Sequence, residues 1–192
     1  MTASVGYALD VQIIGLEEQI KKMGNFGPLL NRHLERGMEA ATKFTASKIV
    51  PNVPVGVSAR LKNSIGSEIR TEGIGSVVGT VGSSLKGEEY PAVMELGRKP
   101  GAKMPPPEAL VRWVHVKHLA GTYSIKSRRR QGGKKRQADE DLQVAFMIAR
   151  SIARKGIKGK FYMRDGLRAA RPSIPRFFKT EMDLMMEELS VK

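Results

Sequence analysis

The chain contains no cysteine, a single tryptophan and few aromatic residues. Without cysteine there can be no disulfide framework, no thiolate nucleophile and no Cys-ligated metal, so stability has to come from packing or from neighbours. No run of about 18 apolar residues occurs, the length needed to cross a bilayer. The N-terminus, MTASVGYALDVQIIG, has neither a basic leader nor a long apolar core. Neither a membrane span nor a secretory signal is expected.

Groups that could do chemistry are equally sparse. Of the three histidines, His115 and His118 are spaced to share one helical face, but only His33 and scattered carboxylates remain to complete a zinc site. They read better as one residue flanking the core and one in solvent. Nothing marks Ser58, Ser64 or Ser83 as the nucleophile of a triad. Gly73, Gly75, Gly79 and Gly82 lack the Lys and Ser/Thr that close a phosphate loop, and are hairpin glycines. The carboxylates at Glu88 and Glu89, from Asp139 to Asp141, and at Glu187 and Glu188 stand in polar settings and read as solvated or interfacial charges. No catalytic residue, metal ligand or cofactor site is assigned, and an enzyme is not expected.

What the chain does have is positive charge. The net charge of +14 predicts attraction to polyanions, and seven of the eleven residues from 126 to 136, KSRRRQGGKKR, are basic. Lys126, Arg128, Arg129, Arg130, Lys134, Lys135 and Arg136 are therefore the candidate contacts to DNA or to an acidic partner. The segment lacks the interleaved aromatics of a single-strand binder. Residues 119–138 are expected to form a long, mobile basic loop.

With 192 residues, 41% of them hydrophobic, one domain over 1–192 is expected. Val5, Tyr7, Leu9, Val11 and Ile13 alternate as in a half-buried strand. A short helix around Leu16, Ile20 and Met23 and a longer one carrying Leu30, Leu34, Met38, Ala41 and Phe44 follow. Pro51, Pro54 and Gly56 open a loop over 51–63. A hairpin then pairs Ile65, Ser67 and Ile69 with Val77, Gly79 and Val81, and EYPAVMEL is a third strand partner at an edge.

Further on, Leu110, Val111, Val114 and His118 share the face of a helix. Asp139 caps a second one with an apolar stripe of Leu142, Ala145, Phe146, Ala149, Ile152 and Ala153, ended by Gly156. A final helix begins near Ser173 or Pro175 and aligns Phe178, Met182, Met185, Met186 and Leu189. The class is α+β, a small antiparallel sheet packed by helices.

The ordered segments PVGVSARLKNSI, GSVVGTV, EYPAVMELG and KGKFYMRDGLRAA resemble the tail-completion or tail-component family of long-tailed bacteriophages over residues 30 to 190. Pro54, Val55, Leu61, Ser64 and Ile65 fit its loop and strand start, Tyr90, Ala92, Glu95 and Gly97 its second segment, and Phe161 and Met163 its third. Gly56, Val57 and Ser58 replace the usual Asp-Thr-Gly, and Arg98 stands where Thr is common.

On this resemblance Pro54, Leu61, Ser64, Tyr90, Glu95, Gly97 and Phe161 are structural or interface residues, and 106–155 is a helical insertion containing the basic loop. The resemblance implies a virion protein, assembled in the host cytoplasm, forming a ring, expected to be a hexamer, at the head-tail junction. Its partners would be further copies of itself, the tail tube protein, a head connector or stopper protein, and DNA in the channel, with no membrane involved. A neck or minor head protein is the nearest alternative, and a basic nucleic-acid-binding protein the alternative from another class.

Overall fold

The computed structural model describes residues 6–12, 24, 26–85, 89–121, 130 and 132–190. The order is β1 (Gly6–Gln12), α1 (Phe26–Ile49), α2 (Arg60–Asn63), β2 (Ile65–Gly73), β3 (Ser76–Ser83), α3 (Tyr90–Leu96) and β4 (Gly97–Arg98). Then come α4 (Glu108–Val116), α5 (Lys134–Lys155), β5 (Ile157–Lys158), α6 (Tyr162–Ala170) and α7 (Ile174–Ser190). The short helix expected around Leu16 to Met23 lies outside the described residues.

α1 is the spine. Leu30, Leu34, Met38, Ala41, Thr45 and Ile49 recur at steps of three and four and are all buried, a face that is apolar except for Thr45, whose hydroxyl donates to Ala41 O. Pro51 stops it by removing a helical donor, and a 3-10 turn, Val50–Asn52, leads out. The face lies against β2 and β3 on one side and against α6 and α7 on the other.

β3 is the central strand of a three-stranded antiparallel sheet ordered β1-β3-β2, with Leu9 and Ile69 opposite Gly79 from either side. Val77, Gly79 and Val81 point at α1 by the two-residue period. A Cβ on Gly79 would come within 2.8 Å of Met38 Cγ, so the helix rests on bare strand backbone there. β2, at an edge, is exposed along nearly its whole length.

The core divides in three. Leu30, Leu34, Met38 and Val77 pack with Met185 of α7. Ile49, Val53, Leu61 and Val81 pack with Tyr162 and Met163 of α6. Val114, Ala120 and Ala145 form a separate cluster in which α4 meets α5.

Three expectations change, and one segment gains a structure of its own. EYPAVMEL is helix α3, not a strand: Pro91 sits at its start, where a missing N–H costs nothing, and its buried side is carried by Pro91 and Glu95. Residues 51–63 hold two short helical turns rather than a plain loop. α5 begins at Lys134 with Gly133 as its cap, five residues before the stretch opened by Asp139, so 134–138 are helix and not mobile loop. KGKFYMRDGLRAA forms its own helix, α6, joined to α7 by a 3-10 turn at Arg171–Ser173. The final helix itself starts at Ile174 as expected.

Gly166 brings α6 onto the last turn of α1, where an added Cβ would stand 2.6 Å from Ile49 Cα. Backbone cannot rotate away as a side chain can. Gly166→Ala is expected to destabilise the fold by about 1–3 kcal/mol. Gly66→Ala, on open β2 with nothing within 4 Å, should be neutral or stabilising. Urea unfolding of the two variants checks the contrast.

Candidate functional site

Two arrangements stand out from the packing. The first is a carboxylate used as a clamp. Glu95, in the last turn of α3, is fully buried. Its side chain accepts the backbone N–H of Met163 at 2.9 Å and of Arg164 at 3.1 Å. These are donors of the first turn of α6, which no residue of its own caps, because Phe161 stands at the N-cap in a left-handed conformation with no side-chain cap. Glu95 supplies both the missing acceptor and the negative charge that the helix N-terminus favours.

The same junction is tied by main chain. Met94 O accepts the Lys160 N–H, Glu95 O accepts the Phe161 N–H, and the Tyr162 hydroxyl reaches Pro91 O at 3.4 Å. β4 and β5 pair beside it, Gly97 opposite Lys158. Gly97 has φ of +85°, and a Cβ there would lie 2.6 Å from Gly159 N. Gly159 in turn approaches Glu95 O too closely for any side chain. Glu95, Gly97 and Gly159 thus allow two distant chain segments to meet backbone to backbone.

The other motif residues gather around this junction. Leu61 packs in the cluster of Tyr162 and Met163. Ser64 Oγ donates to Leu61 O at 2.8 Å, shares a hydrogen bond of 2.7 Å with Ser83, and its carbonyl accepts the Ser84 N–H. Pro54 is half-buried beside buried Val53. Tyr90, partly exposed, stands close to Gly56, and burial pushes its hydroxyl pKa up. Arg164 stacks 4.0 Å over the Phe161 ring. Leu61, Ser64 and Glu95 are residues of the interior, Pro54, Gly97 and Phe161 are half-buried, and Tyr90 is exposed.

The second arrangement is the α4–α5 hairpin. Arg130 is not a free cation: it is almost fully buried and donates to Asp141 at 2.7 Å, to Glu140 at 3.0 Å and to Gln137 O. Asp141, buried and not solvated as its polar neighbours imply, also accepts from His115 Nδ1 at 3.0 Å. His115 therefore faces a carboxylate, while His118 follows the helix in a left-handed turn. Among the described residues no group of three or more His, Asp or Glu could hold a metal ion.

The hydrogen bond from Arg130, supported by Arg136, holds the Glu140 carboxyl below its ordinary value against the opposing effect of desolvation. Lys134, Lys135 and Arg136 are exposed on the first turn of α5. Lys126, Arg128 and Arg129 lie outside the described residues. No described helix is long and apolar enough to cross a membrane.

Residues 16–97 match a family model described as "Bacteriophage HK97-gp10, putative tail-component". The matched stretch ends on Gly97 and so contains one side of the clamp, Glu95 and Gly97, while the α6 side lies beyond it. No curated protein and no solved structure matches the chain.

Glu95→Ala strips one buried and one half-buried N–H group of their acceptor and should cost about 2–4 kcal/mol in urea unfolding, with Glu95→Gln intermediate because one acceptor oxygen remains. Arg130→Met leaves Asp141 buried beside His115 alone and should loosen the α4–α5 hairpin by about 3 kcal/mol, read as faster amide exchange over 134–145. Because the Glu140 pKa is lowered in the folded state, its contribution is present above the ordinary carboxylate value. It is lost as pH falls through the lowered one, so the protection of amides at the start of α5, corrected for the intrinsic exchange rate at each pH, should fall only on strong acidification.

Proposed function

We propose that this chain, whose residues 16–97 carry the signature of a family of bacteriophage tail components, forms a ring at the head-proximal end of a long phage tail and joins the tail tube to the head connector. The observation that carries the reading is the family match together with what the matched residues build. Leu61, Ser64, Glu95 and Gly97 are spent on holding α2, β2, α3 and α6 around one core cluster. Motif residues concentrated on scaffold geometry suit a subunit whose product is an assembly.

The ring, expected to be a hexamer, would contact further copies of the chain, the tail tube protein and a connector or stopper protein. The α4–α5 hairpin is read as a helical insertion on this scaffold. It has its own cluster, and it falls after the matched residues. Exposed cations at its tip, Lys134, Lys135 and Arg136, with Lys126, Arg128 and Arg129 next to them in sequence, would meet DNA in the channel or an acidic partner surface. Arg130 is excluded from that set by its internal ion pairs.

Replacing Lys126, Arg128, Arg129, Lys134 and Lys135 by Gln should leave the circular dichroism spectrum unchanged and let filled heads and finished tails accumulate unjoined in electron micrographs. Normal joining would reject the role of the loop. The charge also favours a second reading, a nucleic-acid-binding protein, which requires tight DNA binding by the free subunit that weakens steeply with salt.

A further inference from the structure

The positive charge is not spread over the molecule. Residues 98–160 hold 17 Lys and Arg against four Asp and Glu, a net +13, so everything else in the chain sums to +1. Two such segments repel each other, and a twofold contact of α5 with α5 is disfavoured from the start. The acidic counterpart is the second half of α7: residues 180–190 carry Glu181, Asp183, Glu187 and Glu188 and no Lys or Arg.

Each helix also has an outer face that the described residues leave open. On α5, Phe146 is 47% and Met147 60% exposed, next to exposed Arg150 and Arg154 one and two turns on. On α7, Leu184 is 45% and Met186 61% exposed, beside exposed Asp183 and Glu187. The remaining acids of α7 are occupied within the chain, Glu181 with His33 and Glu188 with Arg32 and His33. Arg150 and Arg154 stand four residues apart, and so do Asp183 and Glu187. Like charges at that spacing lie about 5–6 Å apart and repel on an isolated helix, so each pair gains from an opposite pair at the same spacing.

We propose that the outer face of α5 docks on the outer face of α7 of a second copy of this chain. Arg150 and Arg154 meet Asp183 and Glu187, and the flanking Phe146 and Met147 cover Leu184 and Met186. The two faces differ, so the contact is heterologous and runs head to tail, the kind that closes into a ring when its rotation permits. The apolar residues supply affinity and the charges supply register and rate. This deepens the ring reading above, and rests on it only for the expectation that the repeat closes.

The test is sedimentation velocity on the full chain, with two charge reversals. The wild-type chain should self-associate, less so as salt rises. Arg150→Glu with Arg154→Glu, and separately Asp183→Lys with Glu187→Lys, should each weaken association by about a hundredfold with unchanged circular dichroism. An equimolar mixture of the two variants should reassemble, because every contact in an alternating array is then either native or fully swapped.

A mixture that stays monomeric, or an α7 reversal that assembles like the wild type, overturns the contact. So does a wild-type chain that is monomeric at its highest soluble concentration. That last result would leave the tail reading standing if phage particles still contain the chain, whereas the absence of the chain from particles alongside intact self-association would sink the tail reading and keep the contact.

Discussion

The buried carboxylate of Glu95 is the constraint around which the rest of the structure is arranged. An ionisable side chain with no solvent exposure is costly to bury, and it is tolerated because the first turn of α6 presents N–H groups that have no other acceptor. The bond joins residues almost 70 positions apart in sequence. With it in place, α6 lies over the end of α1, Tyr162 and Met163 sit in the cluster with Leu61 and Val81, and α7 lies on the remaining face of α1. The long excursion from Lys99 to Gly156 is then a loop leaving and re-entering at one point, the β4–β5 pair. A helical hairpin with its own small core can occupy that excursion without disturbing the scaffold.

This explains why some of the molecule is legible in its sequence and some is not. Alternation in 5–13 and in 65–81 maps onto β1, β2 and β3, and the stripe from Leu30 to Ala41 maps onto α1, because each is settled by a period local to the element. The segment EYPAVMEL carries no such period. It is helical because Glu95 must point at α6, a partner invisible from within the segment. α6 was hidden for the same reason, since its cap comes from another helix and not from its own N-cap residue.

The basic segment shows the opposite failure. Its composition argues for a uniform solvated run, yet Arg130 is drawn inside by Asp141 and Glu140, and the helix begins inside the run at Lys134. Among the described members of the cluster, Lys134, Lys135 and Arg136 are exposed and Arg130 is structural. The carboxylates that give it away stand four and five residues past the end of the run, among acids that read as solvent-facing. Leu142 and Phe146 of the apolar stripe are exposed, while Ala145 and Ala149 of the same stripe are buried.

A scaffold held by an internal clamp, a strongly basic hairpin and a separate acidic helix face suit a component whose work is to be positioned among neighbours. If those neighbours are the other proteins of a phage tail, the chain is a constituent of the particle. The most direct measurement is quantitative mass spectrometry of purified phage particles from the source of this chain, counting its copies against the tail tube protein. The account predicts a small fixed number, equal to one or two turns of a ring and far below that of the tube protein. Absence of the chain from intact particles, or a copy number that scales with tail length, would contradict it.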